Sequence, residues 1–439
     1  MTDTHKSLQA SPQIISRPEH SISRANISRS ALKVLYRLKD GGYQAFLVGG
    51  SVRDLLLGRH PKDFDIATNA RPEEVRALFN NSRLIGRRFR LAHVRFGREV
   101  IEVATFRGGQ DQQQASEHHQ VAKTTGRVLR DNVYGTLEED VWRRDFTANA
   151  LYYNIADFSI CDFTGGLDDV RGRRLRLIGD PDQRYREDPV RMLRAARFAA
   201  KLGFDIDPDT AAPIPGLANL IDGVPPARLF DEFGKLFQAG FALESFRYLS
   251  RLRLFEHLFP STEAWLADDR DETRRGFVEA ALQNTDQRVA AGKPVTPMFL
   301  FGVFLWGPVS ERADALVASD GLTEIQALVA ASSELVAEQN QRITLPKRFS
   351  FPMREVLQIQ PRFERRNGRR ALNLLSHRQF RAAYDLMLLR VALGEVDDDT
   401  AAWWTKVQTL SDAEQRREFG IRRRRKPRRR VPAPSIDSP

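Results

Sequence analysis

Two aspartates separated by one phenylalanine, Asp63 and Asp65 in KDFDIATNA, are the residues whose type and spacing most directly suggest chemistry. Alternate side chains of a strand share one face, so the pair projects together while Phe64 turns into the core. Two carboxylates this close repel unless a cation lies between them. Oxygen donors suit Mg²⁺, and two such ions about 4 Å apart would activate an attacking hydroxyl and stabilise a leaving phosphate. Upstream, Gly49, Gly50 and Ser51 end an apolar run and precede the helical stretch SVRDLLLG. Glycine lets backbone N–H groups approach a phosphate, and a helix start favours anions. No Gly-Lys-Ser/Thr follows, so this is not a Walker loop. Asp145, beside Arg143 and Arg144 in RRDFTANA, is the candidate third carboxylate, to orient or deprotonate a hydroxyl or to complete a metal site. Plainer alternatives stand beside each: solvated acids, a tight turn followed by a surface Arg53–Asp54 pair, and a cap residue paired with arginine.

A second constellation lies in REDPVRMLRAARFAAKLGF, residues 186–204. It predicts a helix with Asp188 as N-cap, Pro189 at the first position and Gly203 at the end. Arg191, Arg194 and Arg197 recur every third residue and form one stripe. A carboxylate accepts from an exocyclic amino group while an arginine donates to the neighbouring ring nitrogen. Asp188 and Arg191 therefore match the edge that adenine and cytosine share, without separating the two. Arg194 and Arg197 suit phosphates. A capped helix with a solvated basic face is the alternative.

These residues need elements to hold them. A helix is predicted over 28–41, a buried strand in YQAFLVGG, a short helix in RPEEVRALF, and a hairpin from RLAHVRF and EVIEVATF around Gly97-Arg98. Residues 1–28 are polar and Ser-rich and read as disordered, and 108–135 read as a mobile polar loop. From Asp188 to about 410, helical periodicity dominates with no clear strand. The chain has 439 residues, a net charge of +11 and one cysteine, Cys161, which excludes an internal disulfide. No stretch approaches the ~18 apolar residues of a membrane span, and the start lacks a signal-peptide core, so a cytoplasmic protein is expected. The eight basic groups of IRRRRKPRRR, residues 421–430, account for all but +3 of the net charge. Such a run is disordered by self-repulsion and meets a polyanion: nucleic acid, or an acidic protein partner.

Taken together, LVGGSVRDLLLG, KDFDIATNA, EEDVWRRDFTANALYYN, DFTGGLDDVRGRRLRLIGDP and the 186–204 helix resemble the nucleotidyltransferase family of bacterial poly(A) polymerases and class II CCA-adding enzymes. The resemblance implies an α+β protein: a mixed α/β nucleotidyltransferase head with a polymerase-beta-like palm, then an all-helical neck and body and a disordered basic tail. The implied divisions are a disordered segment over 1–28, a catalytic head over 29–180, a neck with the nucleotide-selecting helix over 181–260, an RNA-binding body over 261–410 and an Arg-rich tail over 411–439. Gly49, Gly50, Ser51 and Arg53 would hold the incoming triphosphate, and Arg144 would contact the nucleotide. Asp63 and Asp65 would bind two Mg²⁺ ions, with Asp145 as third catalytic carboxylate. Asp188, Arg191, Arg194 and Arg197 would form the selecting helix. The implied reaction is attack of an RNA 3′-hydroxyl on the α-phosphate of ATP, releasing pyrophosphate.

LIGRRFRLAHVRFG, VPPARLFDEFGKLFQAG, LPKRF and FRAAYDLMLLR resemble the poly(A) polymerase branch, as does the basic tail. Arg422, Arg423, Arg424, Arg425, Lys426, Arg428, Arg429 and Arg430 would then grip RNA backbone, as enzymes indifferent to sequence must. RNA-decay proteins are further candidate partners of the tail, no membrane is expected, and the chain is expected to be a monomer. The alternatives are CCA addition to tRNA, nucleotide transfer to a small molecule, and a non-catalytic RNA-binding protein. Trp403 and Trp404 read as packing for the last helix.

Overall fold

The apolar run Ala45–Val48 is buried at every position, as a strand covered on both faces must be. In this computed structural model, residues 11–86, 90–108, 133–269 and 272–421 are described, together with the backbone of 119–121 and 128–131. The eight basic residues of the tail lie outside the described residues.

The elements run β1 (Gln13–Ile15), α1 (Arg29–Asp40), β2 (Ala45–Val48), α2 (Gly50–Leu56), β3 (Asp65–Thr68), α3 (Pro72–Leu78), β4 (Ser82–Ile85), β5 (Leu91–Phe96) and β6 (Glu99–Thr105). Then follow β7 (His119–Val121), β8 (Val128–Asp131), α4 (Leu137–Trp142), β9 (Tyr152–Asn154), β10 (Ile160–Asp162), α5 (Gly166–Arg171), β11 (Arg174–Leu175), α6 (Pro181–Glu187), α7 (Val190–Leu202) and β12 (Asp205–Ile206). The chain divides into two compact units, Met1–Val224 with Arg247–Leu254, and Pro225–Phe246 with Phe255–Pro439.

The first unit is built on a mixed sheet of order β1-β10-β9-β2-β3-β6-β5-β4. Only β3 and β6 pair in parallel within it; the other neighbours are antiparallel. Phe46, Val48, Ala67, Phe106, Tyr152 and Ile178 form one side of its core. From α1, Ala31, Val34, Leu35 and Leu38 are fully buried. The Ser28 hydroxyl accepts the Ala31 N–H at 3.1 Å and caps that helix, and Gly41 closes it.

Three expectations need correction. Residues 11–28 are ordered, not disordered. Strand β1 pairs with β10, His20 Nε2 lies 2.8 Å from the Phe158 carbonyl, and Ile15, Ile22 and Ile27 are buried. Three isoleucines spaced among serines anchor this segment, and averaging over the polar residues hid them. Within the polar 108–135 stretch, β7 and β8 form an antiparallel pair. Past Asp188 the chain is not purely helical, because β12 pairs in parallel with β11.

The second unit is helical. Phe233, Phe237, Phe259, Phe301 and Phe304 pack with ring centroids 4.4–6.4 Å apart. The helix Pro297–Asp320 is buried at every position from Leu300 to Val309. Trp404 is fully buried and donates Nε1–H to the Phe363 carbonyl at 2.7 Å, which makes it a packing residue. No helix among the described residues is long and apolar enough to cross a membrane.

Candidate active site

Gly49 has φ 72° and ψ −137°, a conformation that a Cβ disfavours. It turns the end of β2 directly into α2. Two guanidinium groups flank this turn. A Cβ on Gly49 would stand 3.4 Å from Arg144 Nη1, and one on Gly50 would stand 3.3 Å from Arg53 Nη2. Ser51 is buried and donates its hydroxyl to the Val48 carbonyl at 2.9 Å, so it tightens the turn rather than facing outward. Arg53 is 2% exposed; it donates to Asp54 Oδ1 from Nε at 2.9 Å and Nη2 at 2.7 Å, and its Nη1 donates to Asn149 Oδ1. A surface Arg53–Asp54 pair is thus excluded: the pair is built into the wall behind the glycines.

Arg144 is held by several groups at once. Its Nε donates to the Tyr152 hydroxyl at 2.6 Å, Nη1 to the Asn149 carbonyl at 3.3 Å and Nη2 to Asp140 Oδ2 at 3.3 Å. Its guanidinium lies 4.8 Å from the Tyr152 ring centre, and Tyr152 in turn donates to Asp140 Oδ2 at 2.5 Å. Asp140 and Tyr152 thereby fix the direction of Arg144 toward the glycine turn. From α6, Arg184 Nη2 donates to the carbonyls of Arg143 at 3.3 Å and Arg144 at 2.5 Å, pinning the backbone of this segment.

The carboxylates fall into two kinds. Asp63 and Asp65 flank the buried Phe64, as the alternation requires, and their carboxylates accept no hydrogen bond from any described residue. Asp65 opens β3 and sits across the parallel ladder from Glu102 of β6. Burial pushes the Asp65 carboxyl up to about 6, the Glu102 charge adds to this, Arg144 opposes it, and Asp63 adds again. His93 of β5 pairs with Glu102 in the next ladder, its Nε2 3.2 Å from Oε1. Glu102 was not singled out in the sequence. In EVIEVATF it is one exposed position of an alternating strand, and only the β3–β6 pairing brings it beside Asp65.

Asp145 belongs to the other kind. Its Oδ2 accepts from Arg194 Nε at 2.7 Å and from Nη2, while Oδ1 accepts the Phe146 N–H at 2.8 Å and Asn149 Nδ2 at 3.5 Å. Burial works against its charge, but Arg194, the Phe146 N–H and Asn149 together outweigh burial and hold the carboxyl below the usual range. Among the described residues no group of three or more His, Cys, Asp or Glu side chains is arranged to hold a metal ion. Asn149 connects Arg53 to Asp145.

Helix α7 begins one residue later than the sequence indicates, with Pro189 as its cap residue and Val190 as its first helical one. Asp188 Oδ1 accepts the Val190 N–H at 3.3 Å, Pro189 is helical, and Gly203 ends the helix in the left-handed region. Arg191 Nη1 donates to Glu187 Oε2 at 2.9 Å and to the Arg184 carbonyl at 2.7 Å. Phe198 organises the arginines: Arg53, Arg194 and Arg197 lie 5.8, 5.4 and 4.4 Å from its ring centre. The sequence shows Phe198 only as an apolar helix position.

A mixed sheet bearing paired aspartates beside a glycine turn, followed by a helical body, defines a nucleotidyltransferase. The chain belongs to the poly(A) polymerase family. The Poly A polymerase head domain matches residues 45–176, the probable RNA and SrmB-binding site of polymerase A matches 203–266, and the polymerase A arginine-rich C-terminus matches 320–434. The chain is similar to poly(A) polymerase I of Escherichia coli, 48% identical over 96% of this chain and 94% of that protein. It is also similar to the CCA-adding enzyme of Lactobacillus helveticus, 38% identical over 47% of this chain and 49% of that one. The fold is like that of the Thermotoga maritima CCA-adding enzyme in complex with tRNA, with a TM-score of 0.55, 19% identity, and coverage of 92% of this chain and 94% of that chain.

Proposed function

We propose that this protein adds adenylate from ATP to RNA 3′ ends without a template, releasing pyrophosphate and marking the RNA for decay. The observation that carries this is the likeness to poly(A) polymerase I along nearly the whole chain, where that to the CCA-adding enzyme covers about half. In this reading the protein acts in the cytoplasm, as a monomer, on single-stranded RNA, and its basic tail engages RNA or RNA-decay proteins.

The donor chemistry fits Mg²⁺. Asp63 and Asp65 keep their lone pairs open, and the Asp65 carboxyl is raised first by burial and then by the neighbouring Glu102 charge, both of which a bound cation would offset. Mg²⁺ takes one or two carboxylates and completes its shell with water and substrate phosphates, so a protein cage of three is not required. When bound, two such ions would lower the pKa of the RNA 3′-hydroxyl and offset charge on the leaving pyrophosphate. Asp63 and Asp65 would hold them, with Glu102 next in the row. Arg144, aimed by Asp140 and Tyr152, meets the triphosphate above the glycine turn. Asp145 is committed to Arg194, so its part is to anchor α7 beside the turn rather than to take a proton.

Primer extension on an unstructured RNA, with each of the four triphosphates supplied alone with Mg²⁺, tests this. Long products with ATP only are expected. CTP-dependent products that stop after a terminal A would move the chain to CCA addition. A second expectation concerns Phe198. Phe198→Leu should raise the KM for ATP about fivefold, as ~1 kcal/mol of cation–π contact is lost. Kinetics with ATP varied at saturating RNA checks it; an unmoved KM would return Phe198 to packing alone.

A further inference from the structure

In the second unit, the helices Thr273–Ala290, Pro297–Asp320 and Phe380–Arg390 enclose an open groove of about 470 Å³. That is within the ~300–1,000 Å³ of small-molecule sites. Three cations line it, Arg288, Lys293 and Arg381, against a single carboxylate, Asp385. The two arginines are pre-set. Arg288 Nη2 donates to the Pro294 carbonyl at 3.2 Å, and Arg381 donates Nε–H to Asp385 Oδ2 at 3.2 Å while lying 5.5 Å from the Tyr384 ring centre. Burial raises the Asp385 carboxyl, and the charges of both Arg381 and Arg288 bear on it in the opposite sense. Asp385 thus pairs with Arg381 while Arg288 is held by the Pro294 carbonyl, and the lining keeps an excess of positive charge. Leu388, 37% exposed, and the half-buried Phe299 supply apolar surface at the same place.

We propose that this groove is a second RNA subsite, taking one nucleotide of single-stranded RNA with its phosphate on Arg288, Arg381 and Lys293 and its base against Phe299 and Leu388. Guanidiniums pair with phosphate oxygens in forked geometry, and an apolar face beside them accepts any base. A free anion would need only the cations; the adjoining apolar wall suits a ligand with both a phosphate and a flat ring. The inference rests on RNA being the substrate, and it locates a grip on RNA made of folded helices, separate from the basic tail.

The test is binding of a fluorescent oligoadenylate to the full-length protein without ATP, by anisotropy over a salt series. Arg288→Glu and Arg381→Glu are each compared with Arg312→Glu, which makes the same charge change on an exposed position of Pro297–Asp320. Each groove variant should weaken binding about tenfold and flatten the salt slope by about 0.7, the share of one single-strand phosphate contact. Arg288→Lys and Arg381→Lys should restore the salt slope, which a merely structural role would not do. Equal loss in all three reversals, or an unchanged slope, overturns the subsite. So does a groove variant that loses binding of polyglutamate but not of oligoadenylate, which would assign the groove to an acidic peptide. Because no catalysis is read, failure here is distinct from failure of ATP-dependent extension by the unaltered protein.

Discussion

Asp65→Asn is expected to lower ATP-dependent extension by about three orders of magnitude, the scale on which one preorganised electrostatic group is felt. The same change should make the metal-free protein more stable near neutral pH. The Asp65 carboxyl lies at about 6 in the folded chain against an ordinary 3.8. The folded state therefore keeps a proton that the unfolded chain gives up. That contribution to stability is complete below pH ~4 and is lost as pH rises through 6. Melting temperatures of variant and unaltered protein, taken without metal between pH 4 and 7, should diverge as pH rises, with the variant above. Added Mg²⁺ should narrow the gap by stabilising only the unaltered protein. Parallel melting curves across that range, or retained activity, would remove Asp65 from the site.

Arg194→Met should have the opposite effect on stability. It leaves the Asp145 carboxylate, 11% exposed, with only the Phe146 N–H and Asn149 for partners. Breaking a buried pair in this one-sided way costs about 3–5 kcal/mol; Arg194 is one-third exposed, so about 2–3 kcal/mol is the expected loss. The pH dependence should also weaken. In the unaltered protein Asp145 is held below 3.8, so its contribution is present at neutral pH and lost only as pH falls into the acid range. Without Arg194 only the Phe146 N–H and Asn149 oppose burial, so the carboxyl moves up and the stability it contributes at neutral pH shrinks. Urea unfolding from pH 3 to 8 reads both effects. The double variant with Asp145→Asn should recover most of the stability and little of the activity, because the arginine is still missing. Additive losses in that cycle would mean that the two side chains are uncoupled.

How far the sequence carried this picture depended on how local each feature is. The cap and stop of α1, the β5–β6 hairpin around Gly97, and the Asp188-Pro189 start and Gly203 end of α7 are all written within a few residues. Gly49 was legible for the same reason: only a tight turn explains paired glycines after a buried strand. The true company of each catalytic candidate was not legible. Glu102 becomes a neighbour of Asp65 through a parallel ladder that no short window records. Asp145 looked like a third member of the acid group because it is an acid next to arginines. The structure shows that its decisive arginine is Arg194 on α7 rather than Arg143 or Arg144. The burial of Ser51 and Arg53, on the Val48 carbonyl and on Asp54 and Asn149, was not legible either. The order of residues 11–28 escaped because a few well-spaced isoleucines suffice to dock a segment that is polar on average.

The hydrogen bonds that organise the site join residues far apart in the chain: 96 positions separate Arg53 from Asn149, and 49 separate Asp145 from Arg194. Synthesis proceeds from the N-terminus at roughly 5–20 residues per second, and domains fold as units, the N-terminal one first. A growing chain therefore displays Asp63 and Asp65 well before it owns the residues that aim the arginines. The Asp145–Arg194 pair cannot form before the helix ending at Leu202 has left the ribosome, and the compact unit that holds the site is complete only at Leu254. Until then the nascent protein, held beside its own message, carries the acids of a polymerase without the means to act on the RNA around it.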